Sequence, residues 1–201
     1  MPPTEGSMRE RIRQVALELF TERGYDGTSL REIAEQLGVT KAALYYHFKS
    51  KEAILLSLMA EMKESVDALV EWGIEQPFSA EFQFELLERL ADLFYGDASR
   101  ILRLLQENQP VIRSLHAAEA AAQGEREDFG PKLWIFALLG LLTPPDADLY
   151  TRTRIRAAMM AIVFRPMGGP NFGTDLDASL EEQKKVSLEV AYELLGTERH
   201  R

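Results

Sequence analysis

The chain has 201 residues, 46% hydrophobic and 27% charged, the balance of a folded globular protein rather than a disordered or fibrous one. It contains no cysteine, which excludes disulfides and thiolate-held metals. Its formal net charge of −9 disfavours a nucleic-acid partner only until the charge is located. Residues 1–51 carry eight Lys/Arg and seven Asp/Glu, a net of +1, and the remaining fifteen basic and twenty-five acidic residues give −10. The first quarter is therefore free to meet a polyanion while the rest is repelled by it.

Almost every segment reads as helix. Ile12, Val15, Ala16, Leu19 and Phe20 recur at the spacing of a one-sided helix, with Ser7 as its expected N-cap and Gly24 as its stop. Tyr25-Asp26-Gly27 is turn chemistry. Thr28 or Ser29 caps a second helix whose apolar face is Leu30, Ile33, Ala34 and Leu37, and Ser29 with Glu32 fits a capping box. Gly38 ends it and Thr40 caps a very short third helix. Ser50 opens a long fourth one through Ile54, Leu58, Met62, Val66 and Leu69 to near Gly73. Beyond Pro77 the pattern restarts through Phe82, Leu86, Leu90 and Leu93 to Gly96, then runs from Ile101 to Asn108, and Pro110 begins a further segment. A polar break at 124–131 precedes Leu133 to Leu142, which is apolar all round and expected to be a central buried helix. Asp146 is the expected cap of the next helix, Arg165 to Gly173 is expected to be a loop, and a last helix spans about Ser179 to Leu195. No alternating strand pattern is present. The longest apolar run is roughly half of a membrane span, and Met1–Ser7 lacks the pattern of a signal peptide. A cytoplasmic location without membrane contact is expected.

Residues 29–48 have the layout of a helix-turn-helix: two short helices around a glycine-containing turn, the second presenting its N-terminal half outward. From Thr40 to Lys51 no acid interrupts a run holding Lys41, Lys49 and Lys51. Leu44 and Phe48 are the apolar anchors, which leaves Lys41, Ala42, Tyr45 and Tyr46 for DNA. Tyr45 and Tyr46 lie about 100° apart on a helix, so they cannot both point into a core. Thr28, at the start of the second helix, is expected to offer its hydroxyl and neighbouring N–H groups to phosphate.

From about Arg9 to Leu58 the chain resembles the TetR family of transcriptional regulators. The residues that carry the likeness are Ala16-Leu17-Glu18-Leu19-Phe20, Gly24 to Ser29, Ile33-Ala34, Gly38-Val39, Leu44 to Phe48 and Lys51-Glu52. The resemblance implies an all-α molecule in which a three-helix DNA-binding head is joined by a long helix to a helical body that binds a ligand and dimerises. The head is expected at residues 8–52 and the body at 53–201. Carried over position by position, the DNA-facing set is Thr40, Lys41, Ala42, Tyr45, Tyr46, His47 and Lys51. The implied activity is that of a repressor released from a palindromic, double-stranded operator by a small hydrophobic effector.

Reading a palindrome requires a two-fold dimer. The last two helices are the candidates, through Ile155, Met159, Ile162, Ala191, Leu194 and Leu195. Phe94, Trp134, Met159 and His116 are the candidate ligand contacts, each weighed against plain core packing. No catalytic motif or metal-ligand spacing occurs, so neither enzymatic activity nor a cofactor is expected. The competing reading is a DNA-binding protein without an inducer, whose body docks a protein partner.

Overall fold

A computed structural model describes residues 5–96, 98–115, 131–167 and 178–196. Its helices in chain order are α1 (Glu5–Arg23), α2 (Leu30–Leu37), α3 (Lys41–His47), α4 (Lys51–Ile74), α5 (Ala80–Tyr95), α6 (Ala98–Glu107), α7 (109–115), α8 (Pro131–Leu142), α9 (Leu149–Met167) and α10 (Leu180–Leu195). No strand occurs among the described residues, and the fold is all-α, as the sequence predicts.

The helix ends follow local chemistry. Ser29 Oγ accepts from the Glu32 N–H while the Glu32 carboxylate accepts from the Ser29 N–H at 2.8 Å, closing the predicted capping box. Gly38 ends α2 in the left-handed region at φ 68°, and its N–H and that of Val39 return to the Glu35 and Ala34 carbonyls. Thr40 caps α3, Ser50 caps α4, Ser79 caps α5 and Ser179 caps α10, each hydroxyl accepting an N–H three residues on.

Two expected caps are displaced. α1 begins at Glu5, so Ser7 lies within its first turns instead of before them. The α9 cap is Asp148, whose carboxylate accepts from the Thr151 N–H at 2.7 Å, while Asp146 sits two residues upstream in the turn after α8. The loop expected from Arg165 starts later, because α9 continues to Met167; Gly168 to Gly173 and the break at 124–130 lie outside the described residues.

One apolar core runs the length of the molecule. Ile12, Ala16, Phe20, Ile33, Leu44 and Phe48 bring α1, α2 and α3 together, and Ile54, Leu55 and Leu58 of α4 complete that end. Further along α4, Met62, Val66 and Leu69 join Leu86, Leu87, Leu90 and Phe94 of α5. α4 thus buries one end in the three-helix head and the other among α5, α6 and α8. Near its C-terminus a methyl group at Gly73 would lie 2.7 Å from Leu141 Cδ1, so glycine there permits close approach of α8. α8 is not the all-round buried helix its composition suggests: Leu138 and Leu142 are buried, but Phe136 is 69% exposed. Apolar composition showed that a helix was there but not which faces other elements would cover.

α9 and α10 pack on one another and on α5. α10 is pinned from both sides. Tyr95 and Ser187 share a buried hydroxyl hydrogen bond of 2.7 Å, Tyr192 donates to Glu88 at 2.9 Å, and Arg154 of α9 donates to the Leu194 carbonyl at 2.7 Å. No helix among the described residues is long and apolar enough to cross a membrane.

Candidate nucleic-acid interface

α3 is seven residues long and buries a single side chain, Leu44; Phe48, its C-cap, is the second anchor. Tyr45 packs partly against the same core, and most of the rest of the helix is left for another surface. Thr40, Lys41, Ala42 and Ala43 are exposed along its first turn, and no carboxylate lies within it. Thr40 Oγ1 accepts from the Ala43 N–H at 3.2 Å, which fixes the hydroxyl and leaves its proton free to donate outward. Tyr45 is half-buried with the Lys41 ammonium 5.4 Å from its ring, while Tyr46 is 68% exposed and meets the half-buried His47 edge-on at 5.2 Å. The two tyrosines therefore diverge, as their helical spacing predicts.

The ground beside α3 is basic but braced. Lys51 donates to the Tyr25 carbonyl at 2.6 Å with its ammonium 4.2 Å over the Tyr25 ring. Burial, then the adjacent Glu52 carboxylate, pushes the Tyr25 phenol well above its ordinary range, so it stays protonated and donates to Glu52 at 3.3 Å. The Glu52 carboxyl is held below its usual range, chiefly by its own backbone N–H at the start of α4. Lys51 is thus both a tie between the α1–α2 turn and α4 and a half-exposed cation with N–H groups to spare. A cleft of about 450 Å³ opens between these elements, lined by the cations Arg31, Lys41, Lys49 and Lys51 together with the acids Asp26 and Glu52. Lys49, named in the basic run, is exposed on this surface, and so is Arg31, a cation that the sequence reading did not single out. Arg31, ion-paired to Glu35 at 2.7 Å, could have been recognised from its place in the first turn of α2.

Thr28 does not play the part expected of it. Its side chain is 2% exposed and its hydroxyl lies 2.9 Å from the Gly24 carbonyl and 3.2 Å from that of Leu19. It braces the α1–α2 turn from inside, and its hydroxyl is out of reach of a phosphate.

The body residues divide similarly. Phe94 is fully buried with its ring 5.5 Å from that of half-buried Trp134, and Met159 is fully buried in the same core. His116 lies outside the described residues. For the dimer face, Ile155, Met159, Ile162 and Ala191 are buried within their own subunit, where α9 packs on α10 and α5. A side chain already covered adds no area to an interface, so these four do not form one; Leu194 and Leu195 are only half-buried. The apolar residues exposed on α9 and α10 are others, among them Leu149, Tyr150 and Ala157 on α9, with Phe164 about half exposed, and Leu180, Val186 and Val190 on α10. α9 is apolar on two sides, and the sequence pattern did not distinguish the inner from the outer.

Residues 12–58 match the family model for bacterial regulatory proteins, tetR family. The biofilm operon icaADBC HTH-type negative transcriptional regulator IcaR of Staphylococcus aureus is 35% identical over 102 residues, a match covering 43% of this chain and 52% of that protein. The chain therefore spans about half the length of the curated IcaR relatives it matches. The HTH-type transcriptional regulator YerO of Bacillus subtilis is 49% identical over 49 residues, 24% of this chain and 17% of YerO. Among solved structures, the TetR family transcriptional regulator PfmR of Thermus thermophilus superposes with a TM-score of 0.65 at 23% identity, covering 94% of this chain and 100% of its own. The fatty acid degradation regulator FadR of Bacillus halodurans gives 0.62 at 20% identity, covering 99% and 100%. At those identities the likeness of the bodies is one of fold.

Proposed function

We propose that this chain is a TetR-family repressor that binds a palindromic operator as a homodimer and is released by a small hydrophobic effector; the family-model match at residues 12–58 and the IcaR relative support the family. The observation that carries the reading is α3, a two-turn helix anchored chiefly by Leu44 and Phe48, with half-buried Tyr45 beside them, and with Thr40 to Ala43 and Tyr46 presented outward and no acid among them. An exposed helix start of this kind fits the major groove. Ala42 and Ala43 allow close approach to base edges, and Tyr46, Lys49 and Lys51 supply phosphate contacts.

The body's part in the proposal is regulatory. Two copies face each other through the uncovered strips of α9 and α10, which sets the spacing of the two heads. An effector seated beside Phe94 and Trp134, on the inner side of α5 and α8, favours a different arrangement of the helices around α4 and so lowers the share of molecules with groove-matched heads. The name of the IcaR relative, a negative regulator, supports repression as the sign of control.

The test is selection from a random duplex pool at near-physiological salt. Recovery of a palindrome is expected; enrichment of single half-sites would remove the dimer from the reading, and no enrichment would remove sequence-specific binding. A second reading, a body that docks a protein and takes no effector, is favoured by exposed Ile74, Phe78 and Phe136. Release of the selected operator by members of a hydrophobic small-molecule panel separates the two.

A further inference from the structure

We propose that Arg9 of α1 is a positioning residue for DNA recognition, closing the C-terminal end of α3 without itself touching DNA; the proposal rests on the operator-binding reading above. Its Nη1 donates to the His47 carbonyl at 3.0 Å, and its guanidinium carbon lies 4.4 Å from the centre of the Phe48 ring. One planar group thus engages the last residue of the recognition helix and the anchor that follows it.

The other helix ends show why this contact matters. α2 and α10 finish in left-handed glycines, Gly38 and Gly196, whose N–H groups turn back onto the last carbonyls. α3 has no such closure. Its C-cap, Phe48, is extended at φ −136° and returns one N–H, to the Leu44 carbonyl. The final carbonyls of a helix need donors and carry the negative end of its dipole. A cation arriving from another helix answers both needs, and it arrives where a helix of two turns has the fewest internal bonds to hold it.

Arg9 is itself held in place. One turn further along α1, Arg13 donates to Ser57 Oγ at 3.3 Å and its Nε lies 3.1 Å from the Glu61 carboxylate, both on α4. α1 is thereby fixed against α4, and through Arg9 that fixed position reaches the end of α3. The Arg9 side chain otherwise borders a cleft of about 380 Å³ between α1 and α4 rather than the face of α3 that carries Lys41 and Ala42. Loss of the contact frees the last turn, which carries Tyr45, Tyr46 and His47.

The experiment compares wild type, Arg9→Ala and Arg9→Lys, first by amide exchange without DNA and then by operator titration over a range of salt, using the site selected by wild type and a scrambled duplex. In Arg9→Ala the Phe48 amide is expected to exchange faster. Operator affinity should fall about tenfold, the scale of one lost charged hydrogen bond, at every salt concentration, with the salt slope unchanged because Arg9 itself meets no phosphate. Arg9→Lys, which keeps a charged donor but not the plane that stacks on Phe48, should recover only part of the affinity. A slope reduced by about one unit, with full recovery in Arg9→Lys, would make Arg9 a phosphate contact and overturn the proposal. Unaltered exchange with unaltered affinity overturns it as well. If wild type selects no site, the operator reading falls with the proposal, and that outcome is distinct because it appears before any variant is made.

Discussion

A glutamate placed at Val186 should take the proposed homodimer apart while leaving each subunit folded. Val186 is 57% exposed on the outer face of α10, so more than half of its surface remains for a partner to cover. Covering the remainder of a valine is worth roughly 1 kcal/mol, and a two-fold axis counts it twice, giving about 2 kcal/mol per dimer. Glutamate forfeits that and must also desolvate a carboxylate beside Glu182 and Glu189 on the same helix. Even a small part of the several kcal/mol that full burial of a charge costs brings the total to about 3 kcal/mol or more, a hundredfold or greater weakening. Sedimentation equilibrium across micromolar concentrations reads the dissociation constant, and far-ultraviolet circular dichroism confirms that the helices persist. Val190→Glu, at 41% exposure, should behave in the same way. An unchanged dimer constant in both variants would refute the assignment of this face.

Thr28→Val should lower the unfolding free energy by about 1 kcal/mol, the worth of one internal hydrogen bond, with operator affinity and salt slope unmoved; a reduced slope would restore Thr28 as a phosphate contact. Tyr46→Ala removes a side chain the fold does not use, so it should weaken operator binding at unchanged melting temperature, measured by fluorescence anisotropy beside thermal unfolding. Lys51→Ala should lower both, because its ammonium also ties the Tyr25 carbonyl to α4. The Glu32 carboxyl is held below its usual range by the Ser29 hydroxyl and then the Ser29 N–H, so its contribution is complete above the ordinary glutamate value and is lost as pH falls through the lower folded value. Thermal unfolding across that acidic window should show a decline that Glu32→Gln, which keeps an acceptor but does not titrate, makes shallower.

What could be read from the chain is what depends on neighbours within one turn. Ser29 with Glu32, Gly38, Thr40 and Ser50 announced their roles because a cap and its partner are three or four residues apart. The outward face of α3 followed from the two anchors Leu44 and Phe48. Direction was harder. Thr28 sits where a cap or a phosphate ligand would sit, but the α1–α2 turn folds its hydroxyl inward to Gly24 and Leu19. On α9, Ile155, Met159 and Ile162 form the richer apolar stripe, and the subunit buries that stripe for itself, which the pattern of apolar residues does not distinguish from a face left for a partner. Arg9 was invisible for another reason: its partner, the His47 carbonyl, is a backbone atom 38 residues away, and no side-chain pattern encodes it.

The junction between α3 and α4 is only Phe48, Lys49 and Ser50, and two of the three are caps. Such a connection has almost no play, so the angle of one helix is passed to the other instead of being absorbed by slack. α4 has 24 residues and is about 36 Å long at 1.5 Å per residue. A tilt of roughly 5° about one end of such a rod sweeps the other through about 3 Å of arc, a sizeable part of a major groove's width of about 12 Å. Because a dimer has two such rods, the error in the separation of its heads accumulates from both sides. In the proposed dimer, small repacking around Val66, Leu69 and Gly73 would therefore suffice to set whether two grooves are met at once, with no need for the body to unfold or to move far.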